Sequence, residues 1–118
     1  MAVIIIFMVL GFAGLYFWEP DDTVSFTKHG TVGIIEVYGI VEDSYQAYIL
    51  SSAVEEALND NDVKAVVLEI DSPGGSAYLI EQVYLDLLEL KAEKPIVASI
   101  SMALSGGYYI AVAADHVY

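Results

Sequence analysis

The chain has 118 residues, with four lysines, no arginine, 17 acidic side chains and a formal charge of −13 at pH 7. That balance excludes nucleic acid or an anionic lipid surface bound through a basic patch, and leaves neutral or cationic partners. The absence of cysteine excludes a disulfide framework and thiolate chemistry, and the length allows one small domain or part of a larger one.

Met1 to Trp18 carries no charged side chain. As a helix it would span roughly 27 Å at about 1.5 Å per residue, close to the hydrocarbon thickness of a bilayer. The first expectation is a retained, single-pass transmembrane anchor over residues 1–18, with Tyr16, Phe17 and Trp18 at the interface. A cleaved secretory signal is the second, set back by the lack of a basic n-region and of a small-x-small cleavage site, and a buried core helix is the third. Glu19 to Gly30 is polar and aperiodic and reads as a juxtamembrane linker, so that the folded domain is expected over residues 31–118.

Thr31 to Val37 is β-branched and reads as a strand ended by Gly39. Ser44 to Asn59 reads as a helix, with a capping-box spacing at Ser52 and Glu55. Lys64 to Ile70 is nearly continuously apolar, as in a strand covered on both faces, and Asp71 to Gly75 is the loop expected to end it. In Ser76 to Lys91 the apolar residues Ala77, Ile80, Val83, Tyr84, Leu87 and Leu88 recur at helical steps, and Glu81, Gln82, Asp86 and Glu89 fall on the water side. Pro95 to Ile100 is the next strand, Ser105 to Ala114 the next helix, and Asp115 to Tyr118 the start of another strand. The alternation predicts an α/β fold of layered βαβ units with a mostly parallel sheet.

Two segments fall just past strand ends, where open α/β sheets bind ligands: Asp71-Ser72-Pro73-Gly74-Gly75 and Ser101 to Gly107. Ser105 stands where strand gives way to helix, the position of an exposed nucleophile. Gly74 and Gly75 lack a Cβ and let backbone approach a substrate closely. The amides of Gly74 and Gly106 are the expected oxyanion donors, with Ser72, Pro73, Gly75 and Leu104 around the bound peptide. Each motif alone also fits a plain turn or cap; together, in this order, they point to one crevice. No cofactor or metal is expected.

The proton acceptor is not evident. Lys28, Lys64, Lys91 and Lys94 all lie at amino ends of strands, roughly 20 Å from Ser105 at about 3.3 Å per strand residue. His29 falls in the linker and His116 near the wrong rim.

These residues resemble the signal peptide peptidase A family, the SppA-type membrane serine peptidases of Clp protease and crotonase-like fold. Val63 to Gly75 is similar to that family's strand and oxyanion turn. Lys94 to Ile100 with Ser105-Gly106-Gly107-Tyr108-Tyr109-Ile110-Ala111 is similar to its nucleophile segment. The resemblance implies Ser105 as nucleophile, Gly74 as an oxyanion donor, and a lysine base several dozen residues beyond the serine, so that the 118 residues look like the amino-terminal part of a longer peptidase and are nearly inactive alone. It also implies an apolar or signal-peptide substrate, a cell-membrane location with the peptidase domain outside the cytoplasm, and a homo-oligomer. Asp71, where the family has Asn, and Leu104, where it has a small residue, depart from the pattern. Three other readings stay open: a non-catalytic membrane-tethered peptide-binding module, a relative of the stomatin-associated membrane peptidases, and a crotonase-like acyl-CoA enzyme, the last opposed by the lack of cations for the CoA phosphates.

Overall fold

The computed structural model describes residues 24–118. The expected anchor over residues 1–18 lies outside them, and among the described residues no helix is long and apolar enough to cross a membrane. Five strands, β1 (Val24–His29), β2 (Val32–Val41), β3 (Ala65–Gly75), β4 (Ile96–Ala103) and β5 (His116–Val117), form one sheet in sequence order. β1 pairs antiparallel with β2, and every later neighbour is parallel. The parallel steps are bridged by α1 (Ser44–Asn59), α2 (Ala77–Glu93) and α3 (Gly106–Ala111). Successive right-handed crossovers in one direction along a sheet put their helices on one face. One apolar cluster fills the space between: Ile35, Val37, Leu68, Ile70, Ile96 and Ala98 from the sheet meet Leu50, Val54, Ile80, Val83, Leu87 and Ile110 from the helices.

Four expectations change. The segment 24–29, read as linker, is an edge strand: Ser25 and Thr27 alternate with Phe26, and Gly30, at φ 65°, turns the chain back into β2. Gly39 does not end β2; the strand continues to Val41 past an irregularity between Tyr38 and Ile40. Among the described residues, β3 is covered on one face only. Its side chains alternate between buried (Val66, Leu68, Ile70) and half-buried (Ala65, Val67, Glu69), because α1 to α3 cover only one side among the described residues. The capping box of α1 is Asp43 with Gln46, not Ser52 with Glu55: Gln46 N–H donates to Asp43 Oδ1 at 2.8 Å while Gln46 Oε1 accepts from Asp43 N–H at 3.3 Å. Ser52 lies inside the helix.

Candidate functional site

Asp71 to Gly75 is not a loop but the last part of β3. It stays in register with Ile40 and Val41 on one side, and Asp71 and Ser72 pair with Met102 and Ala103 on the other. Two backbones therefore run together to the carboxyl edge of the sheet. Leu104 N–H donates to Ser72 O at 3.1 Å, which carries the contact one residue past β4. A Cβ on Gly74 would stand 2.5 Å from Gly106 N and 3.1 Å from Leu104 O, and one on Gly107 would stand 2.4 Å from Ser72 O. Only glycine lets these strands' ends touch, so the Pro-Gly-Gly and Ser-Gly-Gly motifs are brought face to face, in direct backbone contact.

Ser105 is held in the turn between β4 and α3 at φ 46°, ψ −118°, and is the one non-glycine residue with positive φ among the described residues. Such a conformation costs about 1–3 kcal/mol and persists only where the surroundings over-determine it. Here Gly107 N–H to Leu104 O (2.8 Å) and Tyr109 N–H to Ser105 O (3.1 Å) fix both sides of the turn. Ser105 is exposed in this strand-to-helix turn. Gly106 N–H, next to it, has no hydrogen-bond partner among the described residues.

Beside the serine lies a cleft of about 470 Å³ lined by Gly75, Ala77, Ile80, Glu81, Ser105, Gly106 and Tyr109. Of the residues expected to bind peptide, Gly75 is in this lining. Ser72 is not: it is fully buried, its Oγ donates to Gly39 O (2.6 Å) and accepts from Gly74 N–H (3.1 Å), and it braces the turn from behind. The Gly74 amide is thereby committed inside the protein rather than offered to a ligand. Pro73, half-buried, and Leu104, 58% exposed and next to Ser105 in the chain, are also outside the lining. The inner wall was not singled out from sequence. Ile80 and Ala77 read as core positions and Glu81 as a solvated one, yet they sit at i, i+3 and i+4 of α2 and share the face that meets the cleft. Tyr109 completes the wall, its ring 4.5 Å from that of Tyr84.

All four lysines are held away from Ser105. Lys28 Nζ pairs with Asp60 and Asp62, Lys64 Nζ donates to Asn61 O, Lys91 Nζ meets Ala114 O and Asp115, and Lys94 Nζ donates to Ala57 O and Asp60 O. These partners belong to the amino-end rim of the sheet. His29 and His116 pair there as well, with Val32 and Val97. Among the described residues no cluster of acidic or histidine side chains could hold a metal ion.

No protein-family model matches the chain. It is similar to Protease 4 of Haemophilus influenzae, 32% identical over an alignment of 106 residues that covers 83% of this chain and 17% of that protein. Protease 4 of Salmonella typhi is 34% identical, again over 83% of this chain and 16% of the relative. The chloroplastic serine protease SPPA of Arabidopsis thaliana is 45% identical over 53 residues, 44% of this chain and 8% of the relative. The chain is a homologue of the SppA-type proteases. It spans about a sixth of the length of the two Protease 4 relatives. Solved structures show the fold. DspI of Pseudomonas aeruginosa superposes with a TM-score of 0.66 at 17% identity, over 86% of this chain and 47% of that one. A structure titled as a probable enoyl-CoA hydratase from Mycobacterium smegmatis gives 0.63 at 17%, over 80% and 47%. The architecture is thus the Clp and crotonase-like α/β layering that the resemblance implied.

Proposed function

We propose that the chain carries the nucleophile half of an SppA-type serine endopeptidase, anchored by residues 1–18 with the peptidase domain outside the cytoplasm, acting on apolar peptides such as released signal peptides. The observation that carries this reading is the strained, exposed Ser105 that lines one cleft with Gly75 and Gly106, where the two glycine motifs touch. Ser105 Oγ attacks the peptide carbonyl carbon and its proton passes to a base. The amide nitrogen takes that proton as the C–N bond breaks, and water then hydrolyses the acyl-enzyme.

The oxyanion is bound by Gly106 N–H and by Gly75 N–H. Ser76 N–H is spent on Val41 O at 2.8 Å, so the preceding amide, that of Gly75, points away from β2 toward the cleft. Each such donor is typically worth about 3 kcal/mol of barrier. The base is a lysine supplied by polypeptide outside these 118 residues, since the four within them are fixed at the opposite rim; without it the rate falls about 10²- to 10⁴-fold. Subunits assemble as a homo-oligomer around such sites.

An alkyl fluorophosphonate tests the assignment. Labelling of the intact protein at Ser105, read by peptide mass spectrometry and lost in Ser105→Ala, is expected. Equal labelling of both proteins removes Ser105 as nucleophile, and no labelling of either favours a tethered peptide-binding module.

A further inference from the structure

We infer that the cleft beside Ser105 selects a peptide side chain that is aliphatic along its stem and cationic at its tip, lysine or arginine, with the Glu81 carboxylate receiving the charge. The inference rests on the peptidase reading of that cleft. Its lining divides into two chemistries. Ala77, Ile80 and the ring of Tyr109 give an apolar floor and wall, and Gly75 and Gly106 add only backbone. This part is built in advance: Ile80 is 1% exposed, and Tyr84 packs against Tyr109 with the rings tilted by 32°. Among the described residues that line the cleft, Glu81 alone carries a charge.

That carboxylate has no cation of its own. None of the three ion pairs among the described residues includes it, and every lysine ammonium is engaged at the amino-end rim. A lysine or arginine side chain matches both halves of the site, laying its methylenes along Ile80 and Tyr109 while its head stays at the wet rim with Glu81. A purely aliphatic side chain fills the floor but leaves the carboxylate partly desolvated and unpaired, and an acidic one is repelled. Glu81 is poorly suited to hold the catalytic base instead. A carboxylate beside a lysine keeps it protonated, the opposite of what a proton acceptor needs.

The test uses three peptidyl diphenyl phosphonates that differ only in the residue at phosphorus: lysine, its uncharged isostere norleucine, or glutamate. Ser105 Oγ forms a bond to phosphorus, phenoxide leaves, and the serine proton goes to the base, so the rate of adduct formation reads how well each side chain is placed. The intact protein is expected to react about two- to fivefold faster with the lysine probe than with norleucine, and slowest with glutamate. Glu81→Gln erases the lysine preference, and Glu81→Lys inverts it toward glutamate. Equal rates for lysine and norleucine, or a preference that survives in Glu81→Gln, overturn the inference while leaving Ser105 as nucleophile. If no probe reacts, fluorescence anisotropy with the matching unreactive peptide amides decides separately. Lysine-first binding lost in Glu81→Gln then upholds the selectivity although the peptidase reading has failed, and binding without that order overturns both.

Discussion

At the scale of single residues, the site is a set of side chains too small to push two backbones apart, with one strained serine among them. The strain can be measured without assaying activity. Glycine adopts positive φ freely, whereas alanine in the same place keeps the penalty, so Ser105→Gly is expected to be more stable than Ser105→Ala by about 1 kcal/mol. Urea unfolding of the two variants compares them directly, and equal midpoints would mean that the turn stores nothing. Ser72 makes the complementary case. Its hydroxyl serves one carbonyl and one amide in a fully buried position, so Ser72→Ala orphans both and should cost about 2 kcal/mol. Because Gly74 would then lose the anchor of its amide, fluorophosphonate labelling of Ser105 in Ser72→Ala is expected to slow although Ser72 never touches the cleft.

At the scale of elements, most of the architecture was legible because its signals are local. Helical recurrence placed α2, a β-branched run placed β2 and an apolar run placed β3, each to within a few residues except where β2 and β3 extend past their expected ends. What local signals could not carry was pairing. Asp71 to Gly75 has the composition of a turn, and only hydrogen bonding to β2 and β4 makes it strand. Val24 to His29 looks like a linker until Gly30 folds it back onto β2. Glu81 was placed on the water side of α2 by its charge, correctly as to exposure, but composition does not say that this side borders Ser105. The capping of α1 shows the same limit: the Ser52 and Glu55 spacing was read as the box, and geometry sets it at Asp43 and Gln46 instead. Asp43→Ala is accordingly expected to cost about 1 kcal/mol, whereas Ser52→Ala, inside the helix, should be neutral or slightly stabilising. Thermal melts of the two variants separate the alternatives.

At the scale of the whole molecule, charge is distributed so that the few cations work as clamps on the rim away from the cleft. Lys91 and the Ile96 N–H converge on Asp115, and Lys28 and Lys94 gather the turn after α1. The Ile96 N–H, and after it Lys91, hold the Asp115 carboxyl below the usual carboxylate range; Lys28, and after it the Asp62 N–H, do the same for Asp60. A carboxyl whose pKa is lower folded than unfolded binds fewer protons in the native state. Its contribution is complete above the ordinary carboxylate pKa and disappears as pH falls through the depressed folded value. Net charge works in the opposite sense, because lowering the pH relieves the self-repulsion of a chain at −13. Overall stability is therefore a poor reporter of the clamp, and the difference between the parent protein and Asp115→Asn is a good one. That difference, read from urea midpoints across a pH series, should be largest near neutrality and shrink toward zero below the usual carboxylate range. A difference independent of pH would show that Asp115 fastens β5 to β4 by shape and neutral hydrogen bonds alone, with its charge contributing nothing.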